Sequence, residues 1–187
     1  MDTALMAEAI DGFGKRLDMV DATRWNAPTP CTEWNTRTLV NHVAAELLWV
    51  PELLDGKTIA EVGDRFDGDL LGDDPVATWR SAAAEALAAG SLAGAQERTV
   101  HLSFGDFPGS EYLGQVTCDV LVHSWDLARA LAVDDRLDAT LVEFVDGFLS
   151  PQIDAWRSAG VFGPAVDPDA YADAQARLLA KTGRSPN

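Results

Sequence analysis

The sequence predicts a mainly α-helical fold, a four-helix bundle with additions, and three observations carry that reading. Apolar residues recur at helical spacing in successive segments along the chain. Only residues 98–104 switch to a period of two, and no fixed-period repeat appears. At 187 residues, with 47% apolar and 24% charged, the chain is long enough for one hydrophobic core and slightly short for two, so one domain over 1–187 is expected.

Met6, Ile10, Phe13, Leu17 and Val20 form the apolar stripe of a first helix expected over Thr3–Ala22. RWNAPTPCTEWN, with two prolines and two tryptophans, reads as an ordered loop anchored by its aromatics. A second helix starts at Asn35 or Thr36 and carries Leu39, Val43, Val50 and Leu53 inward, until Pro51 kinks or ends it. Residues 55–75, rich in Gly and Asp, read as a surface connection that gives no periodicity to build on. Asp74 followed by Pro75 is an N-cap acceptor with proline at the first helical position, opening a third helix that runs to Gly90, with Trp79, Ala83, Ala86 and Leu87 inside. Arg98–Phe104 alternates as a short strand, and GDFPGS reads as a turn. Ser110 is expected to cap a fourth helix reaching Ala132. A fifth helix begins at Asp138 or Thr140 and is disturbed at Pro151. The last is expected from Asp167–Pro168 to Gly183, an αL C-cap.

Lys plus Arg number 14 against 30 Asp plus Glu, a net charge of −16, which excludes duplex nucleic acid and anionic membrane surfaces as partners held through cationic residues. The N-terminal MDTALMAEAIDGF lacks the basic segment and apolar run of a signal peptide, and no stretch has membrane-spanning length, so a cytoplasmic address is expected. Two cysteines, Cys31 and Cys118, are too few for a disulfide framework or a Cys-based zinc cluster.

The chemistry is carried by two helices. Advancing 100° per residue from Leu113 puts Leu113, Val116, Val120, Leu127 and Leu131 within a sector of about 60°, with His123 about 20° outside Val116 and Asp119 about 40° further round. Asp119 and His123, four residues apart, can therefore point at one atom. On the second helix His42 and Glu46 fall inside the apolar stripe. Ionisable groups on two core faces are stable only if they meet a partner. His42, Asp119 and His123 thus supply three ligands of the kind used by zinc first, or by nickel or ferrous iron, with coordination positions left open. Other readings of the same residues stay open: histidines satisfied within the core, an ordinary Asp–His pair, Glu46 as a further ligand, as an acceptor for His42, as a general base or as the partner of an arginine. Asp126, one turn beyond His123, either orients a ligand or pairs with Arg129. His101 reads as a surface residue on the strand's polar face unless the hairpin folds over the bundle mouth. Cys118 points away from Asp119, whereas Cys31 matters if its loop packs beside the second helix.

APTPCTEWNTRTLVNHVAAE and CDVLVHSWDLARAL, with the C-terminal GPAVDPDAYADAQARLLAKTGR, resemble the actinobacterial branch of the DinB-like family related to mycothiol-dependent maleylpyruvate isomerase. The resemblance spans most of the chain, and HSWDLARA is its most specific segment. It implies a DinB-like four-helix bundle with a short β-hairpin or strand and extra C-terminal helices. It further implies one divalent metal held at the positions of His42, Asp119 and His123, with aspartate here in place of the isomerase's longer glutamate. In such enzymes the metal binds the thiol of a cofactor such as mycothiol, so the resemblance implies a metal-dependent thiol transferase or isomerase taking a small thiol and an electrophilic substrate. A homodimer is common in the family, and no interface is read from the residues. The maleylpyruvate reaction calls for cationic groups, for which only Arg80 and Arg129 can be nominated, and that activity is not carried over. A non-catalytic metal- or small-ligand-binding module, such as a sensor or stress-response accessory, fits the same ligands, so the sequence leaves open whether the chain is an enzyme.

Overall fold

The computed structural model describes residues 3–168 and 172–185. It groups the chain into two compact units, Met1–Val133 and Asp134–Asn187. The first unit holds helices α1 (Thr3–Leu17), α2 (Thr36–Leu54), α3 (Ile59–Val62), α4 (Pro75–Gly90) and α5 (Gly109–Leu131), with strands β1 (Thr99–Leu102) and β2 (Gly105–Pro108). α1 packs on α5, α5 on α2, α2 on α4 and α4 back on α1, which closes a four-helix bundle. Its core is built from the expected stripes. Met6, Phe13 and Leu17 of α1, Leu39, Val43 and Val50 of α2, Trp79 and Ala86 of α4, and Leu113, Val120 and Leu127 of α5 are all buried. Phe13 stacks on Trp79 at 5.1 Å between ring centroids.

Asn35 caps α2 by accepting from the Thr38 amide, and Asp74 caps α4 by accepting from Ala77. Each such cap is worth about 1 kcal/mol. α1 stops at Leu17, short of the expected Ala22, because Met19 and Val20 turn back onto the Arg16 and Leu17 carbonyls in a tightened last turn. Pro51 does not end α2, which runs one more turn to Leu54: proline removes only its own amide, and Asp55 still donates to the Pro51 carbonyl. The 55–75 connection contains a turn of helix, α3, closed by a Thr58–Glu61 capping box. That connection is tied to α2 by Arg37 on Asp69 and by Asn41 on the Gly68 carbonyl and Leu70 amide.

GDFP is the second strand of a hairpin rather than a turn, paired antiparallel with β1 so that His101 faces Asp106. α5 follows directly, with Pro108 at its N-cap and Ser110 already inside the helix. The reason is a close approach: the Gly109 amide donates to the Arg98 carbonyl at 2.7 Å, and a Cβ at Gly109 would sit 2.1 Å from the Ala95 carbonyl oxygen. Only glycine fits there.

The second unit holds α6 (Ala139–Leu149), α7 (Ile153–Ser158) and α8 (Ala174–Lys181). Asp138 caps α6, and α6 packs on α8, where Lys181 reaches Asp146 and Ser150. The last helix starts at Ala174 rather than at Asp167–Pro168, because Asp173 is the residue whose carboxylate accepts from an amide of its first turn, that of Ala176. Residues 169–171 of that expected start lie outside the described residues. Gly183 adopts φ +82° after α8, as a C-terminal glycine should.

Candidate metal centre

α2 and α5 face each other across one side of the bundle and bring His42, Asp119 and His123 together, each able to offer a ligand atom within 4.8 Å of the others. Asp119 Oδ1 lies 3.4 Å from His42 Nε2 and 3.4 Å from His123 Nε2. Charge-assisted N–H···O bonds usually close to about 2.7–2.9 Å. Two ligands each about 2.0–2.1 Å from one tetrahedral ion sit roughly 3.3–3.4 Å apart, so the observed spacing is that of ligands around a common centre. Asp119 Oδ2 is buried with no hydrogen-bond partner, a group that loses about 1–3 kcal/mol unless something satisfies it. The donor set therefore fits a divalent metal, with Asp119 Oδ1 3.4 Å from the Nε2 of each histidine.

The outer side of His123 is held as firmly as a ligating histidine requires. Its Nδ1 lies 2.9 Å from Asp126 Oδ2, and Asp126 is fully buried. A carboxylate can only accept, so Nδ1 keeps a proton, which leaves Nε2, the nitrogen facing Asp119, as the one that would ligate a metal. Burial opposes a charge on His123, but the Asp119 carboxylate, then hydrogen bonds to Asp119, Asp126 and Cys31, hold its pKa well above the usual imidazole range. Burial likewise opposes ionisation of Asp119, and the two histidines overcome it, keeping that carboxylate well below its ordinary value. Glu46, one turn along α2 from His42, stands outside the ligand cluster. Burial first, and Asp119 second, push its carboxyl up to about 7 against the pull of the histidines.

Of three further neighbours of the site, Trp34 and Tyr112 were not assigned to it by sequence, and Cys31 was expected there only if its loop packed beside α2. Trp34 lays its ring beside both histidines, 4.8 Å from His42 and 5.6 Å from His123 between centroids. Cys31, three residues earlier in the same loop, donates from Sγ to Asp126 Oδ2 at 3.4 Å. Tyr112 is buried, its hydroxyl has no hydrogen-bond partner, and burial together with Glu46 holds its pKa well above the usual phenol range. The helical wheel contained that last signal: relative to Leu113, Tyr112 falls at about 260°, between Asp119 at about 240° and His123 at about 280°. The loop residues had no periodic signal.

The remaining candidates lie elsewhere. His101 pairs with Asp106 across the hairpin at 2.7 Å and belongs to neither of the metal-capable groupings among the described residues, His42–Asp119–His123 and Cys31–His123–Asp126. Arg80 pairs with Asp18 at the surface, and exposed Arg129 lies over the Trp125 ring at 5.5 Å. Cys118 is buried in α5.

The fold and the cluster define a DinB-like four-helix bundle with a His–Asp–His group between two of its helices. The chain belongs to the mycothiol maleylpyruvate isomerase N-terminal domain family, whose family model matches residues 6–128. It is 34% identical over 133 residues to an uncharacterized protein of Mycobacterium tuberculosis, found in two strains, covering 71% of this chain and 69% of that protein. A crystal structure of a histidine-to-alanine mutant of mycothiol-dependent maleylpyruvate isomerase shares the fold, with TM-score 0.66 and 17% identity, over 84% of this chain and 70% of that one. No helix among the described residues is long and apolar enough to cross a membrane.

Proposed function

We propose that His42, Asp119 and His123 bind one divalent metal, zinc first, and that the chain uses it with a small thiol of the mycothiol type in a transferase or isomerase reaction on an electrophilic substrate. The observation that carries this is the convergence of both Nε2 atoms on one Asp119 carboxylate at 3.4 Å, with Asp126 fixing the tautomer of His123 from behind. Such a metal would supply the Lewis acidity that keeps a coordinated thiol ionised at neutral pH.

The surrounding residues divide the rest of the work. Asp126 retains the Nδ1 proton of His123, and Trp34 keeps water from one face of both imidazoles. Glu46, with a carboxyl near 7, can hold or release a proton at working pH beside the cluster. Tyr112 remains a neutral hydroxyl, able to donate or accept a hydrogen bond but not to act as a phenolate base. Arg80 and Arg129 are engaged with Asp18 and Trp125, so the reading stops at the thiol-using reaction class and does not extend to maleylpyruvate. A cytoplasmic address, where small thiols stay reduced, is part of the same reading.

The test is metal analysis of purified wild type and His123→Ala, followed by titration of the loaded protein with mycothiol and a thiol-transfer assay on a generic electrophile. Stoichiometric metal lost in the variant, with turnover in the wild type, is the expected result. Equal metal content in the two proteins removes the basis of the proposal, and thiol binding without turnover over a broad substrate panel replaces catalysis with a binding role.

A further inference from the structure

The loop that joins α1 to α2 is built into the metal site, although it contributes none of the three ligands. It is pinned to the start of α2 by a Pro28–Asn35 bridge, by the Thr36 amide on the Ala27 carbonyl and by the Arg37 amide on the Trp25 carbonyl, both at 2.9 Å. Inside it, the Thr29 hydroxyl accepts from the Cys31 amide at 3.1 Å and donates to the Trp34 carbonyl at 2.9 Å, while the Trp34 amide closes on the Cys31 carbonyl at 2.8 Å. The resulting turn sends two side chains to one histidine. Trp34 covers the ring of His123, and Cys31 reaches the carboxylate that holds its Nδ1 edge.

We infer that Cys31 is a positioning residue for the metal centre, acting on His123 chiefly through Asp126 and also by its own contact with the ring. Asp126 Oδ2 accepts from both the Cys31 thiol and His123 Nδ1, the first at 3.4 Å and the second at 2.9 Å. One carboxylate oxygen thus joins the loop to the ligand. Removing the thiol takes away one of the hydrogen bonds that position Asp126, and the imidazole that this carboxylate orients is held less closely along its Nε2 direction. The effect is transmitted to the metal without Cys31 touching it. Outer partners of metal ligands typically alter affinity about 10- to 100-fold, and a thiol is a weak donor one step further out, so a change of about threefold to tenfold is expected.

The inference rests on the metal reading above, and one titration separates the two. Metal-free wild type, Cys31→Ala, Cys31→Val and Cys31→Ser are titrated with Co²⁺ and then competed with Zn²⁺, following the visible d–d bands, with far-UV circular dichroism confirming the fold of each. The expected result is one Co²⁺ per wild-type chain, affinity lowered about threefold to tenfold and bands shifted in both donorless variants, and recovery to within about twofold in Cys31→Ser, whose hydroxyl restores the donor. If the wild type binds one Co²⁺ and the Ala and Val variants match it in affinity and spectrum, the role of Cys31 is overturned while the metal site stands. If the wild type binds no metal at all, the metal reading fails and takes this inference with it.

Discussion

The molecule contains two histidine–aspartate pairs of nearly the same length and opposite consequence. On the hairpin, His101 Nδ1 meets Asp106 at 2.7 Å; in the bundle, His123 Nδ1 meets Asp126 at 2.9 Å. The side chains of the first pair are 37% and 66% exposed, those of the second 8% and 0%. Water screens the hairpin pair, which is worth about 0–1 kcal/mol. In the bundle water is excluded, and removing one partner there strands the other at a loss of about 3–5 kcal/mol. The buried pair also points its spare nitrogen at Asp119 and His42, whereas His101 belongs to no metal-capable grouping among the described residues. Distance alone therefore carries no function: burial and what lies on the far side of the imidazole decide it.

The comparison can be broken by mutation. His123→Ala should have the largest effect, abolishing stoichiometric metal binding as read by elemental analysis of the purified protein. Asp126→Asn keeps the shape but removes the anionic acceptor, and should weaken Zn²⁺ binding about 10- to 100-fold in a competition titration. His101→Ala should leave metal affinity unchanged and shift the unfolding free energy by no more than about 1 kcal/mol. If Asp126→Asn and His101→Ala behaved alike, the contrast between the pairs would be lost.

Acid–base behaviour sharpens the same contrast in the metal-free protein. Glu46 has its folded pKa raised from an ordinary glutamate value to about 7, so between roughly pH 4.5 and 7 the folded state holds a proton that the unfolded state has released. Stability therefore falls as pH rises through that window. Glu46→Gln should leave stability unchanged at pH 4 and raise it by about 1–3 kcal/mol at pH 8, measured by urea unfolding. His123 works in the same sense across its own, higher range: its raised pKa stabilises the metal-free fold below about pH 6.5, a contribution lost as pH rises through the folded value. The proton it holds competes with metal, so metal affinity should fall as the solution is acidified.

Most of the bundle was legible in the sequence because its signals are local and periodic. The stripes of α1, α2 and α5 lie in the core as their spacing requires, and Asn35, Asp74 and Asp138 cap as their side chains allow. The ends of α4 at Gly90 and of α5 at Leu131 lie at or next to the expected residues, whereas the start of α8 was missed although Asp173 caps it. Gly109 was misread because its constraint is a tertiary approach to Ala95, and GDFP because three exposed residues of the strand leave no alternation to see. At the site, the helical residues His42, Glu46, Asp119 and His123 could be placed by wheel geometry. Cys31 and Trp34 could not, since a loop has no period and its direction is set by the Thr29 hydrogen bonds and by its docking on α2.

Anomalous X-ray scattering at the zinc edge, from crystals of the zinc-loaded protein, tests the central claim most directly. The account predicts one peak per chain, about 2.0–2.2 Å from His42 Nε2, an Asp119 carboxylate oxygen and His123 Nε2. A peak at the His101–Asp106 pair instead, or none between α2 and α5 in protein shown to be folded, would contradict it.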